Sequence, residues 1–206
     1  MKAMDLFCCA GGASAGLARA GFDVTGVDLE PHASYPFRFV QADALEVELA
    51  GYDLIWASPV CQSFTAYKRR PGHVRPRPNL IPAMRSRLEA SGVPYIIENV
   101  PGAPLRAPFT LCGSMFGLEV RRHRLFETSF PVLAPTCNHA AQRGDFPQAT
   151  NRANRRRTAE IGVWRIPLEV QRAAMGIGWM SLDELSQAIP PAYSEFIGRA
   201  FLRGAS

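Results

Sequence analysis

The chain has few lysines, no long apolar run and no even set of cysteines, and the last two absences each argue against a class of protein. Lys2 and Lys68 are the only lysines, so nearly all of the positive charge is arginine. A GC-rich genome produces that bias without a functional cause, so the placement of the arginines carries more than their number. Five cysteines, an odd count that includes the adjacent Cys8 and Cys9, do not make a disulfide framework and suit a reducing compartment. No apolar run approaches a membrane span. The opening residues read as a strand and not as a secretory signal, so the expected location is cytoplasmic. Internal repeats and low-complexity tracts are also missing. What remains is ordinary globular material: 206 residues, 47% hydrophobic and 20% charged, enough for one domain with its own core.

The net charge is +5, and it is concentrated. Lys68, Arg69, Arg70, Arg75 and Arg77 fall within ten residues that contain no acid. Arg143, Arg152, Arg155, Arg156 and Arg157 form a second group. Positive charge gathered on loops suits a polyanion, because phosphate contacts supply most non-specific nucleic-acid affinity. A solvated basic surface is the bland alternative.

Hydrophobic periodicity predicts strands at about 2–7, 22–27, 37–40, 53–56 and 94–97, with helices from the turn at 8–13 to Ala20 and over 80–90. Gly21 is the expected stop of the first helix. Strands alternating with helices imply an α/β fold with a mostly parallel sheet and helices on both faces. Residues 109–116 and 125–129 read as further strands. Residues 131–163, rich in charge, proline and asparagine, read as an irregular, exposed insertion. Ser181-Leu182-Asp183-Glu184 is a capping box. Pro190-Pro191 opens a last helix with Phe196, Ile197, Ala200 and Phe201 on one face.

In a parallel sheet, ligands bind beyond the carboxyl ends of the strands. Those ends carry a glycine-containing turn, Asp28, Asp43, Cys61 and Glu98. The turn permits close backbone approach to a ligand at a helix N-terminus, though such turns also hold glycine for packing alone. An acid after the second strand suits a ribose diol, or is a solvated loop acid. Cys61 is either a small buried apolar residue or a nucleophile on a loop. Cys137 and His139, even with Cys112, supply too few close ligands, so no metal site is expected.

Five segments carry a resemblance: D-L-F-C-C-A-G-G at 5–12, S-P-V-C-Q-S-F at 58–64, E-N-V at 98–100, R-R-H-R at 121–124 and Q-A-I-P-P at 187–191. Taken in order they resemble the motifs of the DNA (cytosine-5)-methyltransferases, across nearly the whole chain. The resemblance implies a Rossmann-like class I S-adenosylmethionine-dependent methyltransferase fold in a single domain, 1–206. It implies Cys61 as the nucleophile that adds to carbon 6 of cytosine, since thiolate is both a strong nucleophile and a workable leaving group. Glu98 would hydrogen-bond the base edge, with a pKa raised by a dry pocket. Arg122 and Arg124 would hold the base oxygen and the catalytic loop. For S-adenosylmethionine, Phe7, Gly11 and Gly12 would frame the amino-acid end. Asp28 would take the ribose, Leu29 would lie on the adenine and Asp43 would accept from its amino group. Pro59, Gln187 and Ala188 would complete the cofactor site. Gln62, Ser63, Lys68, Arg69, Arg70, Arg155 and Arg156 would contact double-stranded DNA, from which the target base must be flipped.

Three positions depart from the family pattern. Val60 stands where proline directly precedes the cysteine, Cys9 where the cofactor turn has its first glycine, and Gln187 where asparagine is common. These leave open a donor carrying a group other than methyl, or a catalytically weak DNA-binding relative. The two arginine groups do not separate DNA from RNA. The insertion at 131–163 is small beside the family's target recognition domain, which implies low sequence specificity. Such compactness suits a monomeric phage or mobile-element enzyme in a bacterial cell or infected host.

Overall fold

The computed structural model describes residues 1–61, 64, 78–147 and 155–205. Seven strands form one sheet in the order β3-β2-β1-β4-β5-β7-β6. The parallel strands are β1 (Lys2–Leu6), β2 (Asp23–Asp28), β3 (Arg38–Gln41), β4 (Leu54–Ala57) and β5 (Tyr95–Asn99). On the far edge, β7 (Arg124–Thr128) runs antiparallel to both β5 and β6 (Phe109–Leu111). The order reverses at β1, which opens a crevice above the carboxyl ends of β1 and β4.

Alternation along each central strand sorts side chains to two buried faces. Ala3, Leu54, Trp56, Ile96 and Phe126 meet α1 (Gly12–Ala20) and α5 (Pro191–Gly204) on one side. Met4, Leu6, Ile55, Ala57 and Ile97 meet Met84 and Leu88 of α2 (Ile81–Ser91) on the other. The expected helices on both faces are therefore present. Gly16 sets the closeness of α1 and α5, because a Cβ there would stand 2.0 Å from the Pro191 carbonyl and from Ser194 Oγ. The stripe of α5 that faces inward is Tyr193, Ser194, Ile197, Gly198 and Phe201, with Phe196 only half-buried.

Three expectations need correction. The strand read over 109–116 stops at Leu111, and Gly113–Phe116 is a 3-10 turn. Gly113 packs against the Val120 carbonyl at 2.0 Å from its would-be Cβ, and its N–H bonds Arg121 O, so the chain must fold back there. A helix at Leu168–Met175 (α3) lies in a stretch without a predicted element. The described part of 131–163 is not simply irregular and exposed. It holds a 3-10 turn at His139–Ala141, and β8 (Phe146–Pro147) pairs with β9 (Arg155–Arg156). Buried Gln142 donates to Leu118 O and Val120 O, while Glu119 accepts from Gly144 N through its side chain and from Ala159 N through its carbonyl. Hydrogen bonds of side chain to backbone carry no hydrophobic period, so the pattern could not display them. The capping box at Ser181 is formed as read and starts α4 (Leu182–Gln187). Among the described residues, no helix is long and apolar enough to cross a membrane.

Candidate active site

A cavity of about 480 Å³ lies above β1 and β4. Its wall includes Phe7, Gly12, Asp28, Leu29, Pro59, Cys61, Glu98, Arg124, Gln187 and Ala188, ten of the positions singled out from the sequence. Gly11 and Asp43 are not part of that wall. Asp43 instead caps the turn that follows it, its Oδ1 accepting from Leu45 N at 2.8 Å. Gln62, Ser63, Lys68, Arg69 and Arg70 lie outside the described residues, and of Arg155 only the backbone in β9 is described.

The floor at β1 is tight and strained. Phe7 and Cys9 both have positive φ, 60° and 45°, a conformation that costs a non-glycine residue roughly 1–3 kcal/mol. Cys9 thus occupies a backbone position that glycine would fill without strain. Its N–H donates to Asp28 Oδ2 at 3.0 Å, and Glu30 N donates to Oδ1 at 3.2 Å, which orients the Asp28 carboxylate at the end of β2. Burial raises the Cys9 thiol to about 12, so it is inert at neutral pH. Trp179 Nε1 donates to Ala10 O at 2.8 Å and fastens the turn from behind. A Cβ on Gly12 would meet Ile189 O at 2.7 Å, so this glycine lets the chain before α5 close over the turn.

Asp5, which sequence reading passed over as a strand residue, also lines the cavity. Its Oδ2 accepts from Ser14 Oγ at 2.5 Å, but its buried Oδ1 has no hydrogen-bond partner. Burial, opposed by the Ser14 bond, lifts its carboxyl to about 7. An acid three residues before a glycine turn was visible in the sequence. That one of its oxygens would be orphaned was not.

On the opposite wall the groups are linked. Glu98, at the end of β5, lies with Oε1 3.2 Å from Arg124 Nε. Ser58 hydrogen-bonds Glu98 and accepts Trp56 Nε1–H at 2.9 Å. Burial raises the Glu98 pKa against the pull of Arg124 and Ser58, the direction a dry pocket demands. Asn99, another residue without an assigned role, donates to Pro59 O at 2.8 Å and so holds the loop that carries Cys61. The Cys61 thiol is pushed up by burial first and by the Glu98 charge second, and drawn down by Arg124 and Arg122.

Arg122 makes contacts that the sequence did not show. Its guanidinium donates to Ala188 O and Ser186 O, both at 2.6 Å, so it clamps the α4–α5 connection. Burial and the neighbouring Arg124 lower its pKa to about 9, which leaves it charged at neutral pH. Its φ is 40°, and Tyr193 OH lies 3.0 Å from both the Arg121 and Arg122 carbonyls, which props this strained segment. Beyond it Arg121, Arg122, Arg124, Arg156 and Arg157 line a shallow basic hollow of about 550 Å³ that shares Arg124 with the cavity. Arg156 is exposed in it and pairs with Glu160 at 2.6 Å.

No protein-family profile and no curated protein sequence matches the chain. Solved structures do. A protein assigned as a DNA modification methyltransferase encoded within an E. coli prophage superposes with a TM-score of 0.64 at 14% identity, over 98% of this chain and 99% of that one. A methyltransferase of Entamoeba histolytica gives a TM-score of 0.62 at 9% identity, over 100% and 99% of the two chains. Likeness at such identity speaks for the fold, and it agrees with the strand order, the single antiparallel strand β7 and the crevice at β1. The chain has the Rossmann-like fold of S-adenosylmethionine-dependent methyltransferases.

Proposed function

We propose that this protein is a DNA (cytosine-5)-methyltransferase of low sequence specificity, with Cys61 as its covalent nucleophile. The observation that carries the reading is the convergence of Cys61, Glu98 and Arg124 on the same cavity as the β1 turn, Asp5 and Asp28. The residues present fit S-adenosylmethionine. The unpartnered Asp5 Oδ1 is an acceptor for an ammonium, Asp28 remains able to accept from a ribose diol, and Leu29, 59% exposed at the rim, offers an apolar surface to a flat ring. Phe7, Gly12, Pro59, Gln187 and Ala188 would complete that side. When bound, the cofactor supplies an electrophilic methyl group.

Carbon 5 of cytosine is a weak nucleophile, and the chain's own groups supply its activation. The Cys61 thiolate adds to carbon 6 while Glu98 in its protonated form donates to ring nitrogen 3. After carbon 5 takes the methyl group, a base removes the carbon 5 proton, the Cys61 thiolate is expelled from carbon 6 and ring nitrogen 3 returns its proton to Glu98. The two shifts act together. Burial favours a neutral Glu98, and a neutral Glu98 removes the nearby negative charge that otherwise holds the Cys61 proton. Arg124, beside Glu98, would face the base edge. Arg122 acts through the Ser186–Ala188 backbone as a positioning residue. The basic hollow would take the phosphates of a duplex whose target base is turned into the cavity.

A second reading has one observation in its favour: Cys9, Val60 and Gln187, the three departures from the family pattern, all line this cavity. On that reading the donated group is larger than methyl. The test for both is expression in cells free of cytosine methylation, followed by digestion of DNA and RNA to nucleosides and mass measurement. A methyl increment on deoxycytidine supports the main reading and a heavier adduct the second. An increment confined to RNA moves the substrate. Unmodified nucleic acid from soluble protein supplied with S-adenosylmethionine would leave only a DNA-binding relative.

A further inference from the structure

Away from the cavity, Cys112, His123, Cys137 and His139 come together, and one ligand atom from each lies within 4.8 Å of all the others. They arrive from separate places. Cys112 is fully buried just after β6, His123 stands between the arginines of the 121–124 segment, and Cys137 and His139 come from the insertion. Cys112 Sγ is 3.3 Å from His139 Nε2, and Cys137 Sγ is 3.5 Å from His123 Nε2. With metal–sulfur bonds of about 2.3 Å and metal–nitrogen bonds of about 2.0–2.1 Å, a tetrahedral zinc site sets its sulfur and nitrogen atoms about 3.5 Å apart. The two imidazoles stand edge to face, with centroids 5.2 Å apart and planes at 80°.

The surroundings are those of a ligand set. Ser114 Oγ donates to Cys112 Sγ at 3.2 Å and accepts from Asn138 N at 3.1 Å, so one hydroxyl joins both halves of the cluster. Two thiols and two imidazoles without a carboxylate favour zinc over magnesium or calcium. Four protein ligands leave no open position, which is the mark of a structural site.

We propose that Cys112, His123, Cys137 and His139 bind one zinc ion that fastens the insertion to the segment bearing Arg122 and Arg124. The sequence showed Cys137 and His139 as a close pair and Cys112 at a distance, which is why no metal was expected. The missing ligand was His123, hidden inside a basic motif. The ion holds His123 while Arg122 sits in its left-handed conformation and Arg124 reaches Glu98, so the metal keeps the basic wall of the cleft in place.

The full chain, purified in reducing buffer without chelator, is assayed for bound metals by mass spectrometry. The expected result is about one zinc per chain, falling to near zero in Cys137→Ser and in His139→Ala. A chelator should lower the melting temperature of the wild type and leave that of Cys137→Ser unchanged. Because either variant could fold poorly, the wild type is also reconstituted with cobalt(II), where a thiolate-to-cobalt charge-transfer band is expected. Folded wild type that takes up no stoichiometric zinc, or that shows no such band with cobalt, overturns the proposal. So does retention of the zinc in both folded variants.

Discussion

On one side of the cleft, Phe7, Asp28 and Pro59 stand at the ends of parallel strands whose side chains are buried on both faces. On the other, Arg122, His123 and Arg124 stand where the chain enters the antiparallel strand β7, held by carbonyl contacts, Gln142 and the cysteine–histidine cluster. The first wall inherits its position from the sheet, where hydrophobic burial is shared among many residues. The second depends on a handful of polar contacts, each worth on the order of 1 kcal/mol. The difference teaches that the wall at the parallel strands is rigid by default, whereas the arginine-bearing wall must be pinned piece by piece.

Substitutions can break or sharpen that contrast. The largest effect is expected for Cys61→Ala, which should lower group transfer by at least about 10³-fold while leaving the melting temperature close to that of the wild type. Incorporation of labelled methyl into DNA and a thermal scan measure the two halves of that statement. If transfer survives, Cys61 is not the nucleophile.

Gly16→Ala attacks the rigid wall through its packing. With only 2.0 Å available to the new methyl group, it should cost about 3 kcal/mol, read as a global loss by denaturant unfolding.

Asp5 offers a pH test of the same wall. Its folded pKa of about 7 lies above the ordinary 3.8, so the folded state keeps a proton that the unfolded chain has lost. This group's contribution to stability is therefore full below 3.8, falls as pH rises to about 7, and is flat beyond. Asp5→Asn should remove that decline and raise stability at pH 8 by on the order of 2 kcal/mol. It should also weaken S-adenosylmethionine binding about tenfold or more, by calorimetry, since a charge-assisted bond is lost. Tighter binding in the variant would contradict the role given to Oδ1.

Gln142→Ala tests the pinned wall. Loss of its bonds to Leu118 O and Val120 O should cost about 1–2 kcal/mol locally, seen as faster amide exchange around 118–124 with little change in β1 and β4. Uniformly faster exchange would mean that the two walls are not independent. The smallest effect is expected from Cys9→Gly, which should relieve the strain at φ 45° and stabilise the protein by about 1 kcal/mol.

Much of the fold was legible because strand burial writes itself as alternation. The apolar runs at β1, β4 and β5 announced a sheet covered on both sides, and Ser181 with Glu184 announced α4. Cys61 and Glu98 were legible because each lies at a strand's carboxyl end, where a crevice must open. Arg122 shows the limit. Its place in the R-R-H-R motif gave no sign that its donors would go to Ser186 and Ala188, more than sixty residues on. Gln142 and His123 were silent for the same reason, since a polar contact between distant segments has no period.

By itself the sequence determined a mostly parallel sheet with helices on both faces, and which side chains stand at the carboxyl ends of its strands, because periodic burial follows from local pattern. Only the tertiary structure decided which oxygen of Asp5 lacks a partner, that Arg122 braces the chain while Arg124 faces Glu98, and that four scattered cysteines and histidines meet. Those outcomes rest on directional contacts a few ångströms long between residues far apart in the chain, and such contacts exist only once the chain has folded.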